Sequence, residues 1–399
     1  MTYAERADAY AQGVAAGIIP ACRWTVLAAK RHLGDRARES TDPAFLWRFR
    51  ADAVEHICAF VESLPHVEGH LAEQGQKLLL DDWQIFVLGS INGWRAIESG
   101  LRRFRRAYVE VPRKNGKSTL LAAVGLYFLS VDGEAGAKVY SAAASTHQAR
   151  IVFDTARTMA ESATVVSQFG PQPLAAALGL EIQQHKMLLR NDGAAVFQPI
   201  ASQTKSKDGK NPHLAIVDEL HEHEKADVWN SMASALGART HPLLIAITTA
   251  GSNVAGICYE IHRYLQSVLD GNRVDEAFFG IIYAADEGDD PGDPETWRKA
   301  NPGLGSAKSE KYLADEWISA QASPVQMGEF LRKHLDRWTS VGAAAFDLDA
   351  LSRAAQPGLT LESLRGRRGL LGVDLSLTND LTTVAAVVPE GDGYIVKAK

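Results

Sequence analysis

The most informative stretch of the chain is Ala107-Tyr-Val-Glu-Val-Pro-Arg-Lys-Asn-Gly-Lys-Ser-Thr119, in which a β-prone run enters a polar turn. An apolar run over residues 120–129 follows the turn, and only Gly125 interrupts it. A strand, a turn ending in Gly-Lys-Ser and a helix, in this order, are typical of a phosphate-binding loop, or P-loop. The free amides at the start of such a helix point at an anion, and the helix dipole favours negative charge there. This stretch therefore predicts a P-loop.

The residues of the turn have distinct expected roles in binding a nucleotide. Lys117 would reach the β- and γ-phosphates, and the hydroxyl of Ser118 would hold Mg²⁺. The loop departs from the pattern Gly-x-x-x-x-Gly-Lys-Ser/Thr, because Val111 stands where the first Gly is expected. Taken alone, the motif also fits a basic turn before a buried helix. The other nucleotide-binding candidates in the turn are Lys114, Asn115, Gly116 and Thr119.

Two further apolar strands end in polar side chains. Pro212-His-Leu-Ala-Ile-Val-Asp218-Glu219 ends in two carboxylates, of which Asp218 would support Mg²⁺ and Glu219 would orient or deprotonate the attacking water. Buried strands that end in an acidic loop are common, so this pattern is only moderately specific. The strand at 243–248 ends in Thr248-Thr-Ala-Gly251. Because the carboxyl ends of parallel strands line one crevice, the three strand ends together predict a single nucleotide site.

These motifs resemble those of the large subunit of tailed-bacteriophage terminases, which is the DNA-packaging motor. The resemblance begins in the first quarter of the chain and follows the family's order to the C-terminus. Residues 1–75 carry no motif of this kind. The matching stretches are Val111-Pro-Arg-Lys-Asn-Gly-Lys-Ser-Thr119, Ser141-Ala-Ala-Ala-Ser-Thr-His-Gln-Ala149, Ala215-Ile-Val-Asp-Glu-Leu-His-Glu222, Ile247-Thr-Thr-Ala-Gly251, Trp297-Arg-Lys-Ala-Asn-Pro-Gly303 and Leu371-Gly-Val-Asp-Leu-Ser376.

The resemblance implies roles for residues outside the Gly-Lys-Ser turn. An apolar-Trp-Gln segment reads adenine in this family, which here implies Gln84, whose amide can both donate and accept. Thr248 and Thr249 match the coupling motif, which senses the γ-phosphate and relays hydrolysis to movement. Arg113 would offset charge on the transferred phosphoryl group, and an Arg of a neighbouring subunit is the open alternative. The plainer alternatives are core packing for Trp83 and backbone capping for the threonines.

A second catalytic domain is indicated near the C-terminus. Gly369-Leu-Leu-Gly-Val-Asp374 is an apolar strand, and two more strand candidates follow at 382–388 and 393–399. They resemble the opening β-meander of an RNase-H-like nuclease, in which Asp374 would be catalytic and would bind a two-metal Mg²⁺ or Mn²⁺ site. Such a site needs further carboxylates, and the sequence stops at Lys399. We therefore expect a C-terminally incomplete nuclease domain without efficient activity in this chain.

The alternation of apolar strands and helices predicts an α/β fold, a P-loop NTPase parallel sheet flanked by helices. The spacing over 43–64 predicts a helix with one apolar stripe, and 186–200 is expected to form a hairpin inserted in the sheet. The predicted organisation is a helical N-terminal segment at 1–75, a P-loop ATPase domain at 76–270, a lid or connector at 271–365, and the start of the RNase-H-like domain at 366–399.

The composition excludes several kinds of site. The three cysteines are far apart and lack CxxC spacing, which argues against a disulfide framework or a Cys-zinc site. His221-Glu-His-Glu224 lacks the i, i+4 spacing of a zinc-binding helix, so a solvated loop or a supporting role beside the Mg²⁺ site is expected. No apolar run reaches the roughly 18 residues of a membrane span. The N-terminus lacks the pattern of a secretory signal.

The charge of the chain is distributed unevenly. The formal net charge is −6, so the whole chain is not a generic DNA-binding polycation. Two basic groups fit contact with phosphate or the DNA backbone, and a solvated charged face is the alternative for the arginines at 102–106. These groups are Arg102, Arg103, Arg105, Arg106, Arg113, Lys114 and Lys117, and then Lys205, Lys207 and Lys210.

The resulting functional interpretation is an ATP-hydrolysing motor that moves double-stranded DNA into procapsids. The resemblance implies a portal protein and a small terminase subunit as partners, a homo-oligomeric ring during packaging, and no membrane. It implies action in the host cell cytoplasm and absence from the virion. Two alternatives stay open, a helicase-like DNA translocase and a non-catalytic prophage remnant that binds DNA or a partner. A helicase should carry a second motor domain, and the region after 271 shows no motifs of one.

Overall fold

The computed structural model of the chain describes residues 1–167, 170–201, 210–339, 354–356, 358–360, 362–374, 383–391 and 393–398. It divides into two compact units, Met1–Val341 and Gly342–Lys399. Across the described ranges, no helix has both the length and the apolar character needed to cross a bilayer.

The described part of the first unit contains thirteen α-helices and a central sheet. Its described helices are α1 (Tyr3–Ala15), α2 (Arg23–Thr41), α3 (Ala51–Ser63), α4 (Gly69–Glu73), α5 (Asp82–Gly93), α6 (Lys117–Ser130), α7 (Thr146–Ser162), α8 (Leu174–Ala177), α9 (Asp227–Ser234), α10 (Ile257–Leu269), α11 (Pro294–Ala300), α12 (Glu310–Ala320) and α13 (Pro324–Leu335). Its described strands are β1 (Trp47–Phe49), β2 (Trp94–Ala96), β3 (Arg106–Glu110), β4 (Lys138–Ala143), β5 (Thr164–Ser167), β6 (Gly170–Pro173), β7 (Leu180–Ile182), β8 (Met187–Leu189), β9 (Asp192–Ala201), β10 (Leu214–Asp218), β11 (Leu243–Thr248) and β12 (Phe278–Ile282).

The central sheet has the strand order β12-β3-β11-β10-β4-β9-β8-β7. Neighbouring strands run parallel from β12 to β9, whereas β8 and β7 run antiparallel to the strands before them. Every residue of β10 and β11 is buried, which explains why these strands read as continuous apolar runs. The predicted α/β fold with a parallel sheet is confirmed.

The hairpin expected at 186–200 becomes part of the sheet. Strands β8 and β9 pair antiparallel, as a hairpin does, but β9 also pairs in parallel with β4 from Lys138↔Val196 to Ala143↔Ala201. The pairing partner of β9 lies far away in the sequence, so local alternation of apolar residues could not reveal it.

The N-terminal segment differs in one detail from the prediction of a helix over 43–64. Strand β1 pairs antiparallel with β2, and helix α3 begins only at Ala51. Phe45 and Phe49 are buried against the ring of Trp94, at centroid distances of 5.9 and 5.4 Å. The apolar stripe is therefore core, as expected, but a strand and a helix share it.

Two of the arginines before β3, Arg102 and Arg103, are buried inside the protein. The guanidinium of Arg102 is fully buried and lies 2.8 Å from Asp132. Arg103 is buried and lies 2.7 Å from Asp35, and it also pairs with Glu276. Because both charges are used inside the protein, the expectation of phosphate or DNA contact is wrong for these two residues. In the second basic group Lys210 lies over the ring of Tyr140, and Lys205 and Lys207 fall outside the described residues.

The second unit contains an antiparallel meander in its described part. Its strands are β13 (Leu370–Asp374), β14 (Thr383–Glu390) and β15 (Gly393–Ala398), in the order β13-β14-β15. Asp374 is the last residue of β13 and pairs with Thr383 in the backbone register. The strands lie where the sequence predicts them, and the side chain of Asp374 lies outside the description.

Candidate nucleotide site

The P-loop connects β3 to α6 at the carboxyl edge of the sheet. Gly116 precedes the helix with a φ of 77°, a conformation that a residue without a Cβ adopts at little cost. Lys114 also has a positive φ, of 65°, which is uncommon for a residue with a Cβ. Lys117 is the first residue of α6 and is only 6% exposed. Its amine donates to the carbonyl oxygen of Val111 at 3.1 Å, so the loop closes around it.

Ser118 and Asp218 face each other at this edge. The Ser118 hydroxyl donates to Oδ2 of Asp218 at 3.1 Å, although the two residues are far apart in sequence. Burial and the charge of Glu219 raise the pKa of Asp218 to about 6. A hydroxyl and a carboxylate, supplemented by phosphate and water oxygens, are the ligand set that Mg²⁺ prefers. The two side chains therefore fit the expected Mg²⁺ site.

Glu219 lies beside this pair in a strained backbone conformation. Its φ of 48° and ψ of 53° place it in the left-handed region, and its amide donates to the carbonyl of Ile247 at 3.0 Å. The carboxylate lies 3.6 Å from the amine of Lys117. Burial raises the pKa of Glu219, but the charge of Lys117 and a hydrogen bond from His221 outweigh it and lower the pKa to about 2. Glu219 is therefore held as an ionised carboxylate that can orient water.

His221 connects the carboxylates to the two threonines at the end of β11. Its backbone amide donates to Oγ1 of Thr248 at 3.1 Å, and its Nδ1 lies 3.0 Å from the same oxygen. Oγ1 of Thr249 lies 3.3 Å from Nδ1. The ring also lies 3.2 Å from Glu219 and 3.1 Å from Glu222. Burial lowers the pKa of His221, but hydrogen bonds to these glutamates raise it by more than burial lowers it. The net shift of the pKa is therefore upward.

The imidazole of His221 thus joins the carboxylate of Glu219 to the candidate coupling residues. The sequence pattern indicated only a solvated loop or a supporting role for 221–224. The position of His221, two residues after the carboxylate pair, was a usable signal, but its contact with Thr248 depends on the pairing of β10 with β11.

Arg113 lies at the mouth of the P-loop and is half-exposed. Its guanidinium is 3.6 Å from Glu222, and its backbone amide donates to the carbonyl of Lys333 at 2.9 Å. This position is compatible with a role on the same chain's phosphates. The choice between Arg113 and an Arg of a neighbouring subunit stays a prediction.

Gln84 lies next to the P-loop at the start of α5. Its side-chain oxygen accepts from the amide of Asp81 at 3.0 Å, and its Nε2 lies near Gly116. A cavity of about 260 Å³ is lined by Gln84, Gly116, Thr119 and Ser306, among others. Trp83 is buried and packs edge-on against the ring of Tyr283, as core packing requires. The adenine role of Gln84 stays a prediction. The cavity beside Gln84 is where the adenine would bind.

The predicted residues divide into two groups by position. The structure brings Lys117, Ser118, Asp218 and Glu219 together with both threonines at one edge of the sheet. Asp374 belongs to the other unit. Within the described ranges, no three His, Cys, Asp or Glu side chains come together as a metal-binding group. The proposed Mg²⁺ site uses one hydroxyl and one carboxylate from the protein, those of Ser118 and Asp218.

Two family models match the chain. "Terminase large subunit, ATPase domain" covers residues 82–267, and "Terminase large subunit, endonuclease domain" covers residues 272–399. The endonuclease-domain match starts at residue 272, so the expectation that the nuclease part of this chain is only an incomplete start at 366–399 is wrong.

Curated relatives carry the same family name or match strongly over part of the chain. "Protein YmfN" of Escherichia coli (strain K12) is 38% identical over 178 residues, which are 45% of this chain and 39% of the relative. The terminase large subunit of Enterobacteria phage HK97 is 26% identical over 344 residues, 85% of this chain and 63% of the relative. The terminase large subunit of Lactococcus phage p2 is 24% identical over 306 residues, 72% of this chain and 51% of the relative. The chain therefore spans less than two thirds of the length of these relatives.

A solved structure supports the fold. The crystal structure of the HK97 bacteriophage large terminase superposes with a TM-score of 0.59 at 24% identity, covering 86% of this chain and 67% of that chain. At this identity the likeness concerns the fold alone.

Proposed function

The chain belongs to the family of terminase large subunits, and we propose that it hydrolyses ATP with Mg²⁺ to drive double-stranded DNA into phage procapsids. One observation carries the ATPase part of this proposal. Lys117, Ser118, Asp218 and Glu219 come from two distant motifs and converge within hydrogen-bond or ion-pair distance at one sheet edge. This is the side-chain set of a P-loop ATPase.

Each residue has a defined part in the proposed reaction. The amides at the start of α6 and the amine of Lys117 would bind the phosphates, and Ser118 and, through water, Asp218 would hold Mg²⁺. Mg²⁺, when bound, neutralises charge on the phosphate oxygens. Glu219 orients the attacking water, and His221 keeps the carboxylate in place while contacting Thr248. Arg113, or an Arg of a neighbouring subunit, offsets charge in the transition state.

Partners and location follow from the family rather than from a contact in this chain. We propose double-stranded DNA, a portal protein and a small terminase subunit as partners, and a homo-oligomeric ring during packaging. The proposed place of action is the host cell cytoplasm, and the protein would not be part of the virion. The support is the naming of the relatives as phage terminase large subunits.

A second proposed activity is metal-dependent cleavage of DNA. The match of the endonuclease-domain model over 272–399 favours it. Asp374 at the end of β13 is the proposed catalytic carboxylate and ligand for Mg²⁺ or Mn²⁺.

The ATPase proposal is tested by Glu219→Gln in the full chain. The variant removes the negative charge that orients water, so Mg²⁺-dependent ATP hydrolysis should fall about 10²–10⁴-fold. Phosphate release is measured with and without duplex DNA. The matched control is Glu224→Gln, an exposed glutamate nearby, which should keep the wild-type rate. Equal hydrolysis by Glu219→Gln and wild type would remove Glu219 from the reaction, and absence of ATP binding by the wild type would refute the ATPase itself.

A further inference from the structure

The segment 297–308, which includes Trp297-Arg-Lys-Ala-Asn-Pro-Gly303, packs against the outside of the P-loop. Asn301 is buried, and its amide nitrogen donates to the carbonyls of Trp297 and His334, each at 2.9 Å. These two carbonyls therefore fix the orientation of the Asn301 amide. Its oxygen then accepts from Nδ2 of Asn115 at 3.3 Å.

Asn115 is bound by this segment at both ends of its amide. While Nδ2 donates to Asn301, Oδ1 accepts from the backbone amide of Gly303 at 3.0 Å. Nδ2 also donates to the carbonyl of Pro112 at 3.0 Å, so the same side chain closes the loop on itself. The loop residue that was expected to bind the nucleotide thus directs its side chain to the connector, and only its backbone remains for phosphate.

Lys308 makes a second contact on the other side of the turn. The residue is only 7% exposed, and its amine donates to the carbonyl oxygen of Arg113 at 2.8 Å. Burial and the charge of Lys117 lower the pKa of Lys308 to about 7, and Asp336 acts in the opposite direction. Burying an amine costs free energy unless the amine is hydrogen-bonded, and the contact with Arg113 supplies that hydrogen bond.

The two contacts flank the strained residue of the loop. Lys114 has the positive φ, Arg113 before it is held by Lys308, and Asn115 after it is held by Asn301 and Gly303. A strained residue persists only where its surroundings fix it from more than one side. Here those surroundings come from a segment that lies beyond the match to the ATPase-domain model.

We propose that Asn301, Gly303 and Lys308 are positioning residues that hold the P-loop in its phosphate-binding shape, so that nucleotide affinity depends on segment 297–308. The proposal rests on the proposed ATPase function. Displacement of this segment would release Arg113 and Asn115 together and loosen the phosphate site. The segment therefore connects nucleotide occupancy to the part of the chain that follows the ATPase domain.

The test measures binding of Mg·ADP to the full chain by titration calorimetry. Lys308→Met removes the amine but keeps an apolar chain of similar length. Gly303→Ala leaves the P-loop sequence unchanged. Its added Cβ would lie 3.0 Å from Oδ1 of Asn115 and would push against that side chain. Both variants should bind Mg·ADP about tenfold more weakly or worse, as expected for the lost hydrogen bond from the amine of Lys308 or for a displaced loop.

Two matched controls separate positioning from general damage. Lys311→Met changes an exposed lysine on α12, and Gly328→Ala adds a Cβ whose nearest neighbour is Nη1 of Arg332 at 3.6 Å. Both should keep the wild-type affinity. In the nucleotide-free protein, Lys308→Met should leave the melting temperature unchanged or higher, because it removes a buried charge. A purely structural role would instead lower it.

The kinetic readout follows the same reasoning. In Lys308→Met and Gly303→Ala, the KM for ATP should rise by a larger factor than kcat falls. Wild-type affinity in a folded Lys308→Met or in Gly303→Ala would overturn the proposal while leaving the ATPase intact. If Lys308→Met does not fold, Gly303→Ala decides alone. Failure of the wild type and of both controls to bind Mg·ADP would overturn the proposed function as well.

Discussion

Adjacent carboxylates acquire different properties in this site because their surroundings differ. Burial and a neighbouring negative charge raise the pKa of Asp218 to about 6, whereas Lys117 and His221 hold the pKa of Glu219 near 2 despite its burial. The charge of Lys117 lowers the pKa of both carboxylates, but at Asp218 burial and the charge of Glu219 outweigh it. Divergent pKa values in a cleft are typical of residues with separate chemical roles.

The residues at the opposite edge of the sheet form a buried charge cluster. Asp132 lies between Arg102 at 2.8 Å and His213 at 2.7 Å. Burial raises the pKa of Asp132, but the charge of Arg102 and the hydrogen bonds outweigh it and hold the pKa well below its usual range. Because the folded-state pKa is depressed, this carboxylate stabilises the fold above a pH of about 4 and loses that contribution as the pH falls further.

Asp132→Asn should therefore lower the free energy of unfolding by about 3–5 kcal/mol at pH 7, since it leaves Arg102 buried beside a neutral partner. The difference from wild type should be constant from pH 6 to 8 and should shrink below pH 4. Urea unfolding at several pH values measures both. Asp52→Asn, in an exposed pair with Arg50, is the control and should change little. A loss that does not shrink in acid would contradict the electrostatic explanation.

At the level of the elements, packing of α6 against β9 depends on a glycine. A Cβ on Gly125 would lie 2.7 Å from the ring of Phe197, closer than side chains normally approach. The helix can lie this near the strand only because position 125 has no side chain. The sequence showed Gly125 as a break in an apolar run, and the reason for it comes from β9, which the chain reaches much later.

Two glycine substitutions in helices should have opposite effects for this reason. Gly125→Ala should lower the free energy of unfolding by about 1–3 kcal/mol through overpacking. Gly34→Ala, in α2 and with no atom within 4 Å of the added Cβ, should raise it by about 0.5–1 kcal/mol through helix propensity. Thermal and urea unfolding of both variants gives the comparison. A gain in stability for Gly125→Ala would show that Phe197 moves aside freely.

At the scale of the whole molecule, the ATPase-domain match lies within the first compact unit, whereas the endonuclease-domain match begins in the first unit at residue 272 and continues through the second. The P-loop site is formed within the first unit, and Asp374 belongs to the second. The proposed activities should therefore be separable by substitution, because no residue is proposed to serve both.

Metal-dependent cleavage of plasmid DNA is the measurement for the second unit. Asp374→Asn should abolish cleavage in Mg²⁺ or Mn²⁺, because it removes the proposed metal ligand, and ATP hydrolysis should persist. Glu219→Gln should show the reverse pattern. The matched control Glu390→Gln, at the end of β14, should keep both activities. Cleavage that survives Asp374→Asn would exclude this carboxylate, and absence of cleavage by the wild type would refute the nuclease proposal for this chain.

Local sequence was sufficient to predict the parallel sheet, the P-loop and the two carboxylates, because short apolar strands that alternate with helices and a Gly-Lys-Ser turn are short-range properties. The position of β9 beside β4, the burial of Arg102 and Arg103, and the contacts of His221 with Thr248 required the folded chain. So did the contact of Lys308 and Asn301 with the P-loop. In each case the partner is distant in sequence, and only the close packing of the tertiary structure brings the two side chains together.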